Sequence, residues 1–168
     1  PALFCCGDVF MSFARLSLKG RALKLLSQRE HSRLELQRKL APHVEEGDDL
    51  RATLDELEKR GFISEQRVVD SVIHSKASRF GTARLVQELR SKGLDDEMVR
   101  NASEQLRDTE LERARELWCK RFGTPPADIK EKAKQLRFMA SRGFSSGVAS
   151  RVLREAPYSD FDEGDEAD

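Results

Sequence analysis

The tetrapeptide Arg-Phe-Gly-Thr stands at residues 79–82 and returns unchanged at residues 121–124. Each copy precedes a run of residues that is typical of an α-helix, and each run ends at a second glycine, Gly93 or Gly143. Repetition of this kind indicates that one helical unit has been copied and stacked along the chain. Stacked units form long surfaces, so the pattern predicts a protein that holds an elongated partner.

A third, degenerate copy precedes the other two. Gly93 and Gly143 lie 50 residues apart, and a helix with the same leucine spacing lies 49 residues before the helix that ends at Gly93. The matching positions are Ser32 for Gly81, Leu36 for Leu85, Leu40 for Leu89 and Val44 for Gly93. Because Val44 replaces the glycine and Pro42 precedes it, we expect the first of these helices to unwind early.

Hydrophobic periodicity predicts three helices in each unit and no strand. The spacing Ser32-x-x-Glu35 predicts a capping box at the start of one helix, and Asp95 is the expected N-cap of another. The predicted fold is therefore all-α, an elongated array of three tandem three-helix repeats. The predicted boundaries are an N-terminal extension at residues 1–14, repeat 1 at 15–62, repeat 2 at 63–107, repeat 3 at 108–154 and an acidic tail at 155–168.

The composition favours a helical protein, and the cysteine spacing indicates a reducing compartment. The 168 residues are 38% hydrophobic and 36% charged, with five prolines and one tyrosine, and good helix formers predominate. The three cysteines have neither disulfide-framework nor metal-knuckle spacing. No apolar run approaches the roughly 18 residues that span a bilayer. We expect a cytoplasmic protein that does not engage the membrane.

The overall neutrality of the chain conceals a basic body. The acidic tail holds seven acids and no base, whereas residues 1–154 carry 30 basic and 23 acidic side chains. The tail composition is typical of disorder. The body charge favours a polyanion or an acidic protein as partner, although charged runs are also ordinary solvated helix faces.

Glycines and their neighbours mark the predicted helix ends. Gly61, Gly93 and Gly143 are expected to end helices in the left-handed conformation, with the next apolar residue folding back. In the tetrapeptides, Phe is expected in the core, Gly at the turn into the next helix, and Thr124 as a helix cap followed by Pro125. The structural repeat positions are Leu36, Leu40, Gly61, Phe62, Phe80, Gly81, Leu89, Gly93, Phe122, Gly123, Gly143 and Phe144.

Four motifs follow one another along residues 14–153. They are Arg29-Glu30-x-Ser32-x-x-Glu35-Leu36; Leu54-x-x-Leu57-x-x-x-Gly61-Phe62-Ile63; Arg79-Phe80-Gly81 with Glu88-Leu89-x-x-Lys92-Gly93; and Arg121-Phe122-Gly123 with Ala140-x-Arg142-Gly143-Phe144. In this order and spacing they resemble the RecX family. The acidic tail lies outside the part of the chain that carries the resemblance.

The resemblance implies a function as well as a fold. Members of that family bind the recombinase RecA, lodge in the groove of its filament on single-stranded DNA, and suppress strand exchange, ATP hydrolysis and coprotease activity. A member would modulate DNA repair, recombination and the SOS response. The family fold, three tandem three-helix repeats in a curved array, agrees with the periodicity of this sequence.

Basic residues are the candidate contacts to RecA or DNA. The candidates are Arg29, Arg33, Arg79, Arg84, Arg90, Lys92, Arg121, Arg137 and Arg142. An alternative is a helical module that binds DNA directly without sequence preference. Its phosphate contacts would be weak and salt-sensitive, and Trp118 is one of few candidates for base stacking.

Catalytic motifs are absent from the sequence. It has no phosphate-binding glycine loop, no His-Glu-x-x-His and no Gly-x-Ser-x-Gly. The histidines His31, His43 and His74 are scattered and are expected at the surface or at its boundary. We therefore expect a protein that is not an enzyme and uses no cofactor or metal. We also expect it to be a monomer.

Overall fold

The computed structural model describes residues 16–156, and within them it consists of nine α-helices and one short 3-10 turn, with no strand. The N-terminal extension up to residue 15 and the tail from residue 157 lie outside the described residues. The helices are α1 (Leu18–Gln28), α2 (Arg33–Leu40), α3 (Leu50–Lys59), α4 (Glu65–Lys76), α5 (Thr82–Ser91), α6 (Asp96–Asp108), α7 (Glu110–Arg121), α8 (Ile129–Ser141) and α9 (Ser146–Arg154). The predicted all-α class is confirmed. No helix of this described part is long and apolar enough to cross a membrane.

Three separate hydrophobic clusters form the core, one for each set of three helices. The first is built on α1 to α3, the second on α4 to α6 and the third on α7 to α9. Each cluster buries the apolar face of its amphipathic helices, which is what holds short helices together in water. The result is the array of three-helix repeats that the periodicity predicts.

The middle helix of repeat 1 begins with the predicted capping box. The Ser32 hydroxyl accepts a hydrogen bond from the Glu35 backbone N–H at 3.2 Å, and the Glu35 carboxylate accepts one from the Ser32 N–H at 3.1 Å. The helix ends at Leu40, and Ala41–His43 continue as a 3-10 turn. This confirms the early unwinding expected at Pro42, which lacks an N–H and cannot extend an α-helix.

Three glycines end helices in the predicted left-handed conformation. The backbone φ is +75° at Gly61, +73° at Gly93 and +87° at Gly143. The residue after each glycine does not always fold back, however. Phe144 is 4% exposed, whereas Phe62 is 44% exposed, so the expectation for Phe62 is wrong. Phe62 follows α3, the last helix of its repeat, whereas Phe144 follows the middle helix of repeat 3 and packs on α9 side chains within one core.

Neighbouring repeats meet where one middle helix begins and the next one ends. Between repeats 2 and 3, the Gly81 N–H donates to the Arg142 carbonyl at 2.9 Å. A Cβ on Gly81 would lie 2.2 Å from the Gly143 carbonyl oxygen, and a Cβ on Gly143 would lie 2.6 Å from the Arg84 Cβ. The two backbones therefore approach too closely for any side chain at either glycine.

The junction between repeats 1 and 2 is built in the same way. The Ser32 hydroxyl donates to the Lys92 carbonyl at 2.6 Å. A Cβ on Gly93 would lie 2.6 Å from the Leu34 Cδ2. Gly143 is thus required twice, for the left-handed turn and for close approach of the Arg84 backbone, whereas Gly93 is required for its left-handed turn and meets mainly the movable Leu34 side chain.

The two copies of the tetrapeptide differ in conformation, although their sequences are identical. Gly81 has φ −74° and is the N-cap of α5, whereas Gly123 has φ +70° and ends α7. The predicted cap at Thr124 is wrong, because α8 begins at Ile129 and the Asp128 carboxylate caps it. Residue 126 is a second proline, which disfavours helical backbone at Pro125 and delays the helix.

Candidate functional site

Four arginines and three phenylalanines form one surface across the boundary of repeats 2 and 3. We call it the Arg–Phe cluster. Its members are Arg79, Phe80, Arg84, Arg121, Phe122, Phe138 and Arg142. Both copies of the repeated tetrapeptide contribute their Arg and Phe, so the tertiary structure joins two segments that are separate in sequence.

Phe80 anchors the repeat 2 side of the cluster. The guanidinium carbon of Arg84 lies 4.2 Å from the centre of the Phe80 ring, that of Arg142 lies at 5.6 Å and that of Arg79 at 5.9 Å. Arg142 belongs to repeat 3, so its side chain crosses the boundary. Arg84 also donates from Nη1 to the Ser141 carbonyl at 3.3 Å, which ties the two repeats at the same point.

Phe138 and Phe122 anchor the repeat 3 side. The rings pack edge to face with centroids 5.3 Å apart. The guanidinium carbon of Arg142 lies 5.2 Å from the centre of the Phe138 ring, while that of Arg121 lies 5.6 Å from Phe122 and 5.9 Å from Phe138. Arg142 therefore stacks on rings from both repeats and makes the cluster continuous.

The phenylalanines of the tetrapeptides are only partly in the core. Phe80 and Phe122 are half-buried and pack against the second and third hydrophobic clusters. The two rings therefore lie at the edge of the core, and guanidinium groups lie over them. Cation–π contacts of this kind are worth about 0.5–1 kcal/mol at exposed sites, and they hold the arginine side chains against the protein.

None of the four arginines in the cluster makes an ion pair with a described residue. Each guanidinium presents N–H donors in a fixed planar fork that matches a carboxylate or a phosphate. Stacking on a ring leaves those edge donors available. The cluster is thus chemically suited to bind anionic groups on a partner.

Two side chains of α7 hold the tetrapeptide of repeat 2 in place. Arg113 donates from Nη1 to the Phe80 carbonyl at 2.7 Å and to the Ala77 carbonyl at 2.9 Å. The Glu110 carboxylate accepts from the Thr82 N–H at 3.0 Å. Since Gly81 has no side chain to cap α5, Glu110 supplies the missing acceptor from repeat 3.

Sequence reasoning missed Glu110, Arg113 and Phe138. A glycine N-cap signals that the first N–H groups of α5 need acceptors from elsewhere, but it does not say which acid supplies them. Arg113 is half-buried, and burial lowers the pKa of its guanidinium. Its hydrogen bonds to helix-end carbonyls make it a structural residue.

Three of the predicted basic contacts lie in repeat 1 or at its junction with repeat 2, and they have acidic partners. Arg33 pairs with Asp55 and with Glu58, the latter at 2.7 Å. Arg29 and Lys92 both pair with Glu35, at 3.0 and 2.8 Å. Lys92 is only 8% exposed and is therefore not presented to solvent. Its pair with Glu35 makes it part of the junction between repeats 1 and 2.

The remaining predicted contacts stand apart from the cluster. Arg90 lines an open groove of about 550 Å³, together with Arg100 and Arg107 of α6 and with Glu110, Gly143 and Ser145 of repeat 3. Arg137 is exposed. Of the nine predicted residues, the structure therefore brings together Arg79, Arg84, Arg121 and Arg142.

His31 and Glu35 are the perturbed titratable groups at the junction of repeats 1 and 2. His31 is 1% exposed, which corrects its expected surface position; its Nδ1 lies 3.0 Å from the Arg29 carbonyl and its Nε2 lies 3.2 Å from the Lys39 ammonium. Burial lowers the pKa of His31 below 6.5. Burial alone would raise the pKa of Glu35, but hydrogen bonds from Arg29, Lys92 and the Ser32 backbone lower it from 4.5 to about 2.

These two shifts predict that acid destabilises the protein in two steps. The unfolded chain takes up a proton on His31 before the folded protein does, so the free energy of unfolding falls as the pH drops below about 6.5. Glu35 contributes on the order of 3 kcal/mol that is present above pH 4.5 and is lost as the pH falls towards 2.

Thermal unfolding of the Glu35→Gln variant across pH 2 to 8 checks the second step. Its melting temperature should lie well below that of the unchanged protein at pH 7, and the two should converge near pH 2, where Glu35 is protonated. Glu56→Gln, which removes two solvent-accessible ion pairs, with Lys19 and with Arg60, is the matched control and should have little effect. A constant difference at all pH values would contradict the role given to Glu35.

Within residues 16–156 no group of three or more His, Cys, Asp and Glu side chains could hold a metal ion. Trp118 is 2% exposed, and its Nε1 donates to the Gln135 side-chain oxygen at 2.7 Å. It is therefore a core residue and does not offer its ring to a nucleic-acid base.

Comparisons with known proteins agree on one family. Residues 64–102 match the family model described as RecX, second three-helix domain, and residues 108–153 match RecX, third three-helix domain. A "Regulatory protein RecX" from Leptothrix cholodnii is 59% identical over 144 residues, which cover 86% of this chain and 92% of that protein. Another, from Ralstonia nicotianae, is 52% identical over 151 residues, 90% of this chain and 94% of that protein.

Solved structures show the same fold. The crystal structure of RecX from Lactobacillus salivarius has a TM-score of 0.66 and 18% sequence identity, covering 83% of this chain and 94% of that chain. A second crystal structure, of a regulatory protein RecX, has a TM-score of 0.68 and 22% identity, covering 82% and 72%. At these identities the likeness concerns the fold alone.

Proposed function

Because this chain belongs to the RecX family, we propose that it is a regulatory protein that binds RecA and the RecA filament on single-stranded DNA. In this proposal it lodges in the filament groove as a monomer in the cytoplasm. It inhibits the recombinase, ATPase and coprotease activities there. In this way it modulates DNA repair, recombination and the SOS response.

The observation that carries the proposal is the Arg–Phe cluster. It places four guanidinium groups without an acidic partner in the described residues on a surface that spans two repeats. A body of three stacked units that carries such a surface can bridge neighbouring subunits of a helical polymer. Regulation is then steric, because a body wedged in the groove blocks incoming duplex DNA and hinders subunit movement, with no chemistry of its own.

Direct binding to DNA is the alternative function. The same guanidinium groups would contact phosphates, and the net positive body would give salt-sensitive affinity. The aromatic residues argue against it as the main activity. Trp118 is buried, and the rings of Phe80, Phe122 and Phe138 are half-buried, so few flat faces remain for base stacking.

Charge reversal in the cluster tests the proposal. The triple variant Arg79→Glu, Arg84→Glu and Arg121→Glu should raise the concentration needed to half-inhibit RecA-catalysed ATP hydrolysis by about tenfold or more, equivalent to about 1.4 kcal/mol of binding. Lys92 is left unchanged because its ammonium is buried against Glu35. Inhibition should be measured on preformed filaments, with circular dichroism as the check on helicity.

A matched control reverses three exposed charges in repeat 1 instead. The variant Arg38→Glu, Arg51→Glu and Lys59→Glu changes the net charge equally, and none of these side chains makes an ion pair with a described residue. It should keep nearly full inhibition. If both triple variants lost inhibition equally, the loss would come from the change in net charge and not from the Arg–Phe cluster, and the proposal would be contradicted.

The salt dependence of binding separates the two functions. If the protein binds preformed RecA filaments much more tightly than naked single-stranded DNA, and if this affinity falls only slightly as the salt concentration rises, RecA is supported as the partner. Equal affinity for naked single-stranded DNA with a steep slope supports the alternative and would overturn the proposal.

A further inference from the structure

The positive charge of the Arg–Phe cluster is not balanced within the described part of the chain. In repeat 1 and at its junction with repeat 2, by contrast, basic groups have acidic partners: Arg33 has two, and Arg29 and Lys92 share Glu35. Arg79, Arg84, Arg121 and Arg142 instead lie against phenylalanine rings without an acidic partner among the described residues, and only Arg84 uses one donor, to the Ser141 carbonyl. A cluster of four such groups attracts a segment with several carboxylates.

The acidic tail is a segment of this kind on the same chain. Residues 157–168 have the sequence Pro-Tyr-Ser-Asp-Phe-Asp-Glu-Gly-Asp-Glu-Ala-Asp, with six acids and no base. The seventh acid, Glu155, already pairs with Arg115 and with Arg151, the latter at 2.7 Å. Ala156 is 6% exposed in the core of repeat 3. The six remaining acids are thus tethered to a fixed point on the repeat that contains half of the cluster.

Chain length allows the contact. Helix α9 has nine residues and is therefore about 13 Å long, and four Cα–Cα steps of at most about 3.8 Å join its first residue to Arg142. The end of α9 is thus no more than about 30 Å from Arg142. The twelve residues 157–168 span up to about 40 Å when extended.

We propose that residues 157–168 dock on the Arg–Phe cluster of their own chain and act as an internal competitor for anionic partners. Tethering gives the segment an effective concentration near the millimolar range, so individually weak charge pairs suffice. Tyr158 and Phe161 stand among the acids and add apolar contact with the exposed parts of the cluster's rings. The contact weakens as salt rises, because the cluster is at the surface.

The consequence for regulation rests on the proposed function. If RecA binds through the cluster, the acidic tail must leave before RecA binds, and the apparent affinity falls by the fraction of molecules in which the cluster is occupied. Removing the tail charges then strengthens inhibition.

Nuclear magnetic resonance of the full chain tests the docking without RecA. One sample is unchanged, and in the other every acid of residues 157–168 is neutralised, Asp to Asn and Glu to Gln. The side-chain Nε–Hε signals of Arg79, Arg84, Arg121 and Arg142 should differ between the two samples in low salt and coincide in 0.5 M salt. The Arg33 signal is an internal control and should not move, since its carboxylate partners are in repeat 1.

The charge-reversed triple variant, Arg79→Glu, Arg84→Glu and Arg121→Glu, provides the second arm. In that background, neutralising the tail should leave the Arg142 signal unchanged. Cluster signals that are identical with and without the tail charges, or differences confined to the groove of Arg90, Arg100 and Arg107, would overturn the proposal.

An inhibition assay separates this inference from the proposed function. Neutralising the tail should lower the half-inhibitory concentration for RecA by about threefold or more. If the signals show docking while inhibition is unchanged, the docking stands and RecA does not use the cluster. If they show no docking, the inference fails whatever the inhibition assay gives.

Discussion

Replacing Gly81 by alanine is expected to lower the free energy of unfolding by about 3 kcal/mol or more and to loosen repeat 3 from repeat 2. The added Cβ would lie 2.2 Å from the Gly143 carbonyl oxygen and 2.4 Å from the Phe144 nitrogen, which are backbone atoms that cannot rotate away. Overpacking of this kind usually costs 1–3 kcal/mol, and here the Gly81 N–H also loses its hydrogen bond to the Arg142 carbonyl.

The second copy of the tetrapeptide provides the matched control. Gly123→Ala changes the same residue in the same four-residue sequence, but the nearest atom to its Cβ is the Cys119 carbonyl oxygen at 3.4 Å. Its cost should be about 1 kcal/mol, because the residue has a positive φ. Gly147→Ala, in helix α9 with nothing within 4 Å of its Cβ, should be neutral or stabilising.

Urea unfolding monitored by circular dichroism measures all three variants. Gly81→Ala should also broaden the transition or split it in two, because repeats that no longer dock unfold separately. Equal losses at Gly81 and Gly123 would show that the tetrapeptide glycines share one role, contrary to the packing described above.

Trp118→Ala is expected to lower the free energy of unfolding by about 4 kcal/mol or more. The ring is the largest fully buried side chain of the described protein and belongs to the repeat 3 core. Truncating a buried Trp typically costs 3–5 kcal/mol. The change also removes the donor to Gln135, whose side chain is fully buried and would keep an unpaired oxygen at a further cost of about 1–3 kcal/mol.

Two further variants separate packing from hydrogen bonding at this site. Trp118→Phe keeps most of the ring volume and should lose only part of the stability. Adding Gln135→Leu to Trp118→Ala should restore some of it, because the buried Gln135 oxygen that lost its donor is then removed, while the Thr124 carbonyl loses only a long 3.4 Å bond from the Gln135 amide. A Trp118→Ala protein that unfolds at the same urea concentration as the unchanged protein would contradict the core position of this ring.

Local sequence features predicted the helix ends of this protein well where the interactions span a few residues. Ser32 and Glu35 form the expected capping box, Asp95 caps α6, and Gly93 and Gly143 adopt the expected positive φ. Each of these depends on groups within about one helical turn, so adjacent residues carry the information. Thr124 was the exception, because the proline pair that follows it disfavours helix at that point.

The candidate site was only partly predictable. Arg79 and Arg121 stand out in the sequence because the tetrapeptide repeats, and Arg142 and Arg84 belong to the predicted basic residues. Nothing in the sequence indicates that Phe138 and Arg142 connect them, or that Lys92 is buried against Glu35 57 residues away. Whether a basic residue has an acidic partner depends on the faces of other helices, which short-range patterns do not encode.

By itself, then, the sequence determined the helical class, the fifty-residue period and most helix ends, because periodicity and capping act within single helices. Tertiary structure alone decided which glycine permits contact between repeats, which arginines remain unpaired, and that two distant tetrapeptides share one surface. The physical reason is the range of the interactions. Ser32 bonds to Lys92 across 60 residues, and Arg84 bonds to Ser141 across 57, and such contacts exist only after the repeats have stacked.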